Sequence, residues 1–162
     1  MKKAIFPGSF DPITEGHVEI VLRGTHLFDE VIVAIGVNNQ KQYMFSLEDR
    51  MKMLEACFAG EAGVKVAWYD VLTVEYAQAE GARIMLRGIR TPQDVAYEQP
   101  ISLVNKLLAP DLETVFLLSS PETAHISSTI VREIINYKGK IKGLVPKPAI
   151  RIIESLLKLK LS

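Results

Sequence analysis

A small set of residues in this sequence could handle a phosphate chain. Gly8-Ser9-Phe10, bracketed by Pro7 and Pro12, forms a turn, and Thr14-Glu15-Gly16-His17 follows where a helix is expected to start. Backbone N–H groups in a first helical turn lack intrahelical acceptors and favour an anion. Lys41, the cluster Arg87-Gly88-Ile89-Arg90 and the run Ser127-Ser128-Thr129, which opens another helix, add cations and a second set of such N–H groups. His17 brings an imidazole N–H to the first of these helix starts. Together they suit binding a polyphosphate and stabilising charge that grows on it. No obvious nucleophile for covalent catalysis accompanies them.

Each piece alone has a simpler explanation. Gly8 beside Pro7 could be only a strand-to-helix turn, His17 an exposed histidine, Lys41 between Gln40 and Gln42 a solvated loop lysine, and Arg87 and Arg90 surface arginines. Arg132, early in a helix where positive charge opposes the macrodipole, is explained by an anionic ligand or by pairing with Glu133 or Glu98. The joint arrangement carries more weight, because the pieces each follow a different strand and would otherwise have to meet at one edge by accident. Other chemistries lack their signatures. There is no Walker A loop and no G-x-G-x-x-G after the first strand, as a P-loop kinase or an NAD-dependent dehydrogenase would need. There is no Cys/His cluster for zinc and no G-x-S-x-G elbow for acyl hydrolysis.

The elements that must position these residues alternate along the chain. Strands are expected at Lys3 to Phe6, Val31 to Val37, Val64 to Tyr69, Arg83 to Leu86 and Thr114 to Leu118. Between them His17 to Leu27, Ser46 to Ala59, Thr73 to Glu80 and Gln93 to Leu108 carry apolar residues at helical spacing. Ser46 with Asp49 resembles a capping box, Thr73 can cap its helix, and Pro146 suits the first turn of a last helix. Pro100 should kink or interrupt the fourth helix. The alternation, and a second strand apolar at every position, predict a doubly wound, five-stranded parallel sheet with helices on both faces, a Rossmann-like α/β fold. In such a sheet ligands bind outside the carboxyl ends of the strands, which is where the candidate residues fall.

Length and composition are consistent with one domain over residues 1–162. A hydrophobic fraction of 48% can supply a core, and 19 basic against 19 acidic side chains give no overall field for nucleic acid or an anionic membrane. The lone cysteine, Cys57, lies in an apolar helical pattern and reads as a core thiol of a reducing compartment. The first residues are charged but Pro7 and Gly8 cut short the apolar run, so no secretory signal is read there, and no stretch reaches the roughly 20 apolar residues of a membrane span. A cytoplasmic protein is expected.

Gly8-Ser9-Phe10-Asp11-Pro12 with Thr14-Glu15-Gly16-His17, and Ile126-Ser127-Ser128-Thr129-Ile130-Val131-Arg132 downstream, resemble the signature pair of the nucleotidyltransferase superfamily that includes class I aminoacyl-tRNA synthetases. Within it the chain is similar to the bacterial phosphopantetheine adenylyltransferase family, through Leu86-Arg87-Gly88-Ile89-Arg90, Asp94, Tyr97-Glu98 and Asn105. The resemblance covers essentially the whole chain. It implies transfer of AMP from Mg-ATP to 4′-phosphopantetheine in coenzyme A biosynthesis, a homohexamer, and coenzyme A as a feedback ligand. It implies acceptor contacts from Ser9, Lys41, Thr73 and Arg87, and ATP contacts from Ser9, Phe10, His17, Gly88, Ile89, Arg90, Glu98, Thr123, Ala124, His125, Ile126, Ser127, Ser128 and Thr129. His17 is implied as the transition-state stabiliser, and with Lys41 and Arg90 forms the expected catalytic set. No carboxylate cluster suggests a metal cage, so Mg²⁺ is expected to be held by the nucleotide's phosphates and water.

Three positions depart from the family pattern. Thr123 replaces a frequent aromatic residue, Gln99-Pro100-Ile101 interrupts a smoother helical stretch, and Val104 precedes Asn105 in place of methionine. Two other readings stand beside the resemblance: another adenylyl- or cytidylyltransferase of the superfamily, and a nucleotide-sensing module without turnover.

Overall fold

The structure, a computed structural model, describes residues 1–38 and 40–162. Five strands, β1 (Lys3–Gly8), β2 (Glu30–Gly36), β3 (Val64–Tyr69), β4 (Ile84–Ile89) and β5 (Glu113–Leu118), form one parallel sheet in the order β3-β2-β1-β4-β5. Among the described residues six helices, α1 (Glu15–Thr25), α2 (Leu47–Cys57), α3 (Thr73–Ala79), α4 (Pro92–Leu108), α5 (Ser128–Asn136) and α6 (Lys147–Leu157), connect or follow them. This is the doubly wound, Rossmann-like arrangement expected from the alternation.

Side-chain alternation along β2 shows why that strand is apolar throughout. Val31, Val33 and Ile35 join one core with α1, α2, α5 and α6, through Ile20, Leu54, Val131 and Ile153 among others. Ile32 and Ala34 join the opposite core with Val74 and Ala77 of α3. A strand buried on both faces has no position to spare for a polar side chain.

Strand order reverses between β1 and β4, and there the two strands part. Their pairing ends at Ile5 with Met85, whereas β1 stays paired with β2 as far as Gly8 with Ile35. Pro7 is tolerated in a central strand because it lies beyond the last β1–β4 pair, so its missing N–H deprives no neighbour. This is also why β1 runs two residues past the expected end at Phe6. Strand β4 likewise extends to Ile89, carrying Arg87 and Gly88 inside the sheet.

At three points local expectations are met only in part or not at all. Pro100 does not break α4, which runs unbroken from a Thr91–Asp94 capping box. Ala96 and Pro100 are both exposed, so no other element of this chain packs against the ring or against the carbonyl it leaves unbonded. Thr73 does not cap α3: Leu72 holds that position without a side-chain bond, because the Thr73 hydroxyl is engaged with the Tyr69 hydroxyl at 2.8 Å. Ser46 does cap α2, accepting from the Asp49 N–H, but Asp49 returns to the Ser46 hydroxyl rather than its backbone.

Candidate active site

The parted ends of β1 and β4 open into two adjoining cavities, each of about 300 Å³. Pro7, Gly8, Ser9, Arg87, Tyr97 and Glu98 line both and form the seam between them.

The first cavity is built from the β1–α1 loop, the start of α1, the end of β4, α4 and the start of α5. Phe10 has a left-handed backbone, φ 47°, which turns its ring back beneath Gly8. A Cβ on Gly8 would stand 2.9 Å from that ring, so only glycine fits the turn. The Phe10 ring meets His17 edge-on at 5.1 Å between centroids. His17 is the third residue of a capping box with Thr14: its Nδ1 accepts the Thr14 backbone N–H at 3.0 Å, while the Thr14 hydroxyl accepts from the His17 N–H. An Nδ1 that accepts carries no proton, so the neutral ring holds its proton on Nε2. Burial, reinforced by the charges of Arg90 and Arg87, lowers the His17 pKa to about 4. The site therefore presents a neutral imidazole with a fixed tautomer.

Arg90 is held by both Asp94 oxygens, at 3.2 and 3.3 Å, and donates to the Ile126 carbonyl at 3.0 Å. That contact ties β4 to the segment entering α5. Ser127 caps α5 through the Ile130 N–H, and Ser128 donates to the Pro12 carbonyl at 2.8 Å. Arg132 donates to the Asp11 carbonyl at 2.7 Å, with the Asp11 carboxylate 4.0 Å away. Its partner is thus Asp11, and neither of the two glutamates considered from sequence.

The second cavity is lined by Lys41, Thr73, Tyr69, Tyr43, Asn38 and Asn105 beside the seam residues. Lys41 is exposed. The loop that carries it is fastened by Asp11, whose buried carboxylate accepts the Met44 and Phe45 N–H groups, each at 2.9 Å. Arg50, also buried, donates to the Ser9 carbonyl at 2.7 Å and lies over the Tyr43 ring at 4.0 Å. On the seam, Arg87 grips Glu98 through Nε at 3.0 Å and through a second nitrogen, and donates to the Pro7 carbonyl at 2.6 Å.

All four residues expected on the acceptor side, Ser9, Lys41, Thr73 and Arg87, line the second cavity. Of those expected around ATP, Ser9, Phe10, His17, Gly88, Arg90, Glu98 and Ile126 to Thr129 line the first. Four do not. Ile89 is buried, with its carbonyl bonded to the Ser119 N–H. Thr123 turns to Glu19 on α1, His125 is exposed, and Ala124 lines neither cavity. The expected catalytic set is also divided, since His17 and Arg90 line one cavity and Lys41 the other. Sequence reading missed Tyr69, which ends β3 at the same carboxyl edge and was open to the same rule. It also missed Asp11, Glu19 and Arg50, whose bonds to Met44 and Phe45, to Ser120 and Thr123, and to the Ser9 carbonyl reach residues remote in sequence.

Among the described residues no group of three or more His, Cys, Asp or Glu side chains converges to hold a metal. The carboxylates lining the first cavity, Asp94 and Glu98, are taken up by Arg90 and Arg87. Among the described residues no helix is long and apolar enough to cross a membrane.

A cytidylyltransferase-like family model matches residues 5–134. The phosphopantetheine adenylyltransferase of Flavobacterium johnsoniae is 49% identical over 152 residues, which cover 94% of this chain and 99% of that protein. The enzyme of the same name from Christiangramia forsetii is 47% identical over 146 residues, 90% of this chain and 96% of its own. That from Thermosynechococcus vestitus is 46% identical over 152 residues, 94% of this chain and 90% of its own. With the parted β1–β4 edge, the histidine-bearing α1 and matches of this extent, the chain belongs to the phosphopantetheine adenylyltransferase family of the cytidylyltransferase-like nucleotidyltransferases.

Proposed function

We infer that this chain transfers the AMP part of ATP to 4′-phosphopantetheine, forming dephospho-coenzyme A and releasing pyrophosphate. One observation carries the reading at the level of the site: two cavities of equal size meet at a seam of Gly8, Ser9, Arg87 and Glu98, one bearing His17 and Arg90, the other Lys41 and Thr73. A two-substrate transfer needs two such cavities adjoining at a shared boundary, where the acceptor phosphate can reach the α-phosphorus.

The nucleotide occupies the first cavity with its phosphates against the starts of α1 and α5, where N–H groups face out. The acceptor's phosphate lies near the seam, within reach of Lys41 and Arg87. One of its oxygens forms a bond to the α-phosphorus, and the bond from that phosphorus to the bridging oxygen of the β-phosphate breaks, with its electron pair leaving on pyrophosphate. The acceptor phosphate is already an anionic nucleophile, so no general base is needed. What remains is alignment and stabilisation of the charge on the pentacoordinate phosphorus. The Nε2–H of His17 supplies a neutral donor for those oxygens, and Arg90 a fixed cation. Magnesium would enter as Mg-ATP, held mainly by the nucleotide's phosphates and water; among the described residues no group of three or more His, Cys, Asp or Glu side chains converges to hold it.

We take residues 1–162 as one catalytic domain, acting in the cytoplasm where its donor ATP is at hand. We also propose self-association, as a homohexamer by resemblance, with coenzyme A as a feedback ligand in the same cavities. Exposed Leu103, Val104, Leu107 and Leu108 on α4, with Leu118 on the edge strand β5, support an interface there. A helix apolar on its outer side is one that another surface covers.

The test is pyrophosphate release from Mg-ATP with a panel of phosphate monoesters. Turnover with 4′-phosphopantetheine and not with nicotinate mononucleotide or glycerol phosphate is the expected result. Equal turnover with several acceptors would leave a superfamily transferase without this specificity, and ATP binding without turnover would leave a sensing module.

A further inference from the structure

Glu19 lines neither cavity, yet its carboxylate accepts from four donors, as many as Asp94, the most heavily bonded carboxylate that does. It lies on α1 two residues beyond His17 and faces the β5–α5 loop. The Ser120 N–H and hydroxyl donate to it at 3.1 and 2.5 Å, the Thr123 hydroxyl donates to its other oxygen, and Arg23 donates at 2.7 Å. Arg23 uses the same nitrogen for the Leu118 carbonyl at the end of β5, also at 2.7 Å. Within the loop, the Ser120 carbonyl accepts the Thr123 and Ala124 N–H groups, closing a turn. The Thr123 carbonyl in turn lies close over Gly16 in the first turn of α1. Burial pushes the Glu19 carboxyl up, but the bonds from Ser120, Thr123 and Arg23 outweigh it and hold the pKa at about 2. The carboxylate is therefore charged, and its acceptor oxygens occupied, throughout the working pH range.

We propose that Glu19 is a positioning residue for the donor nucleotide, fixing the loop from Ser119 to Thr123 on the helix that carries His17. This rests on the reading that ATP occupies the first cavity. The loop delivers Ser119 to that cavity and leads directly into Ile126 to Thr129, which line its far wall. With the loop pinned to α1, this wall and the His17 imidazole keep one spacing, which is the distance the triphosphate must span. Thr123 takes part through its hydroxyl, which donates to the Glu19 carboxylate.

The experiment compares Glu19→Gln, Ser120→Ala, Thr123→Val and the Glu19→Gln/Thr123→Val pair with the wild-type chain. Glu19→Gln places an amide against a set of donors. It should raise KM for ATP roughly tenfold, the scale of one charge-assisted hydrogen bond, while KM for phosphopantetheine and kcat at saturating ATP stay within about twofold. Hydrogen exchange in a peptide covering residues 119–125 should quicken. Thr123→Val and Ser120→Ala, milder changes, should each give a smaller rise in KM for ATP, and that of Thr123→Val should vanish in the Glu19→Gln background. Equal rises in both KM values, loss of active protein with KM for ATP unchanged, or additive effects in the pair would overturn the proposal. ATP affinity by calorimetry and the exchange rates are read without turnover. A wild-type chain inactive on phosphopantetheine would therefore defeat the functional reading while the clamp was still judged.

Discussion

Arg87 and Glu98 are locked in a two-point ion pair on the seam between the two cavities, with Arg87 also held to the Pro7 carbonyl where β1 leaves its partner. The pair spans the gap between β1 and β4 and turns a topological opening into a shaped wall. Both side chains are largely withdrawn from solvent, at 26% and 11% exposure. Removing one partner of such a pair leaves the other charged and without its partner.

Arg87→Ala should accordingly do two things. It should raise KM for the acceptor by more than tenfold, and it should lower stability by about 2 kcal/mol, below the range for fully buried pairs because water still reaches the arginine. Arg87→Lys should rescue little of either, since an ammonium cannot hold two carboxylate oxygens and a carbonyl in one plane. Steady-state kinetics and urea unfolding measure the two effects. Wild-type kcat/KM for the acceptor in Arg87→Ala would rule out its role.

Lys41→Ala offers the contrast. Lys41 is exposed on a loop, so stability should stay within roughly 0.5 kcal/mol of wild type. Acceptor KM should rise about tenfold and KM for ATP should not move, because Lys41 lines the second cavity and not the first. A rise in KM for ATP of the same size would place Lys41 on the nucleotide instead.

These two residues also mark what the sequence made legible. Strand and helix alternation led to the sheet, and the rule that ligands meet strand carboxyl ends led to Ser9, Lys41 and Arg87 without knowledge of any contact. The capping role of His17 stayed hidden because a histidine stands where Glu or Gln would signal a capping box. The bonds of Asp11 to Met44 and Phe45, and of Glu19 to Ser120 and Thr123, join residues far apart in the chain, and no spacing rule reaches that far. That α4 continues through Pro100 was hidden for a related reason: whether the freed carbonyl is obstructed depends on what packs beside it, which periodicity does not encode.

Asp11→Asn tests the fastening of the acceptor loop. The carboxylate accepts two backbone N–H groups while 4% exposed, and an amide can present only one oxygen to them. One buried donor would lose its acceptor, at a cost of about 1 to 3 kcal/mol. Urea unfolding should show that loss, and KM for phosphopantetheine should rise more than KM for ATP. An unchanged unfolding midpoint would mean that the loop is held by other contacts.

The His17 tautomer gives a prediction that needs no substrate. With the pKa lowered to about 4 from an ordinary 6.5, the folded chain leaves the ring neutral in a range where the unfolded chain would protonate it. Between those values the unfolded state binds more protons, so this residue's contribution to stability is intact above pH 6.5 and is lost as pH falls toward 4. The full loss is roughly 3 kcal/mol. Nitrogen-15 NMR of the ring should show Nε2 protonated and Nδ1 bare from pH 8 to below 6, with protonation only nearer pH 4. Titration near 6.5 in the folded chain would contradict the capping geometry.

His17→Ala then separates binding from catalysis. The imidazole is placed where charge develops on the phosphorus oxygens. Because it is neutral, it gains most as that charge grows and little from a phosphate at rest, which is the condition for raising kcat rather than affinity. Loss of such a donor costs on the order of 10² to 10³ in rate. Alanine also removes the ring that accepts the Thr14 N–H, so a modest drop in stability, about 1 kcal/mol, should accompany the kinetic effect. Single-turnover AMP transfer at saturating ATP, beside ATP affinity by calorimetry, distinguishes the two roles. A slow step with affinity kept within a few-fold assigns His17 to the transition state. Collapsed affinity with a normal bound-state rate would make it a ground-state contact, and stabilisation of the transferring phosphorus would then fall to Arg90 and the helix starts.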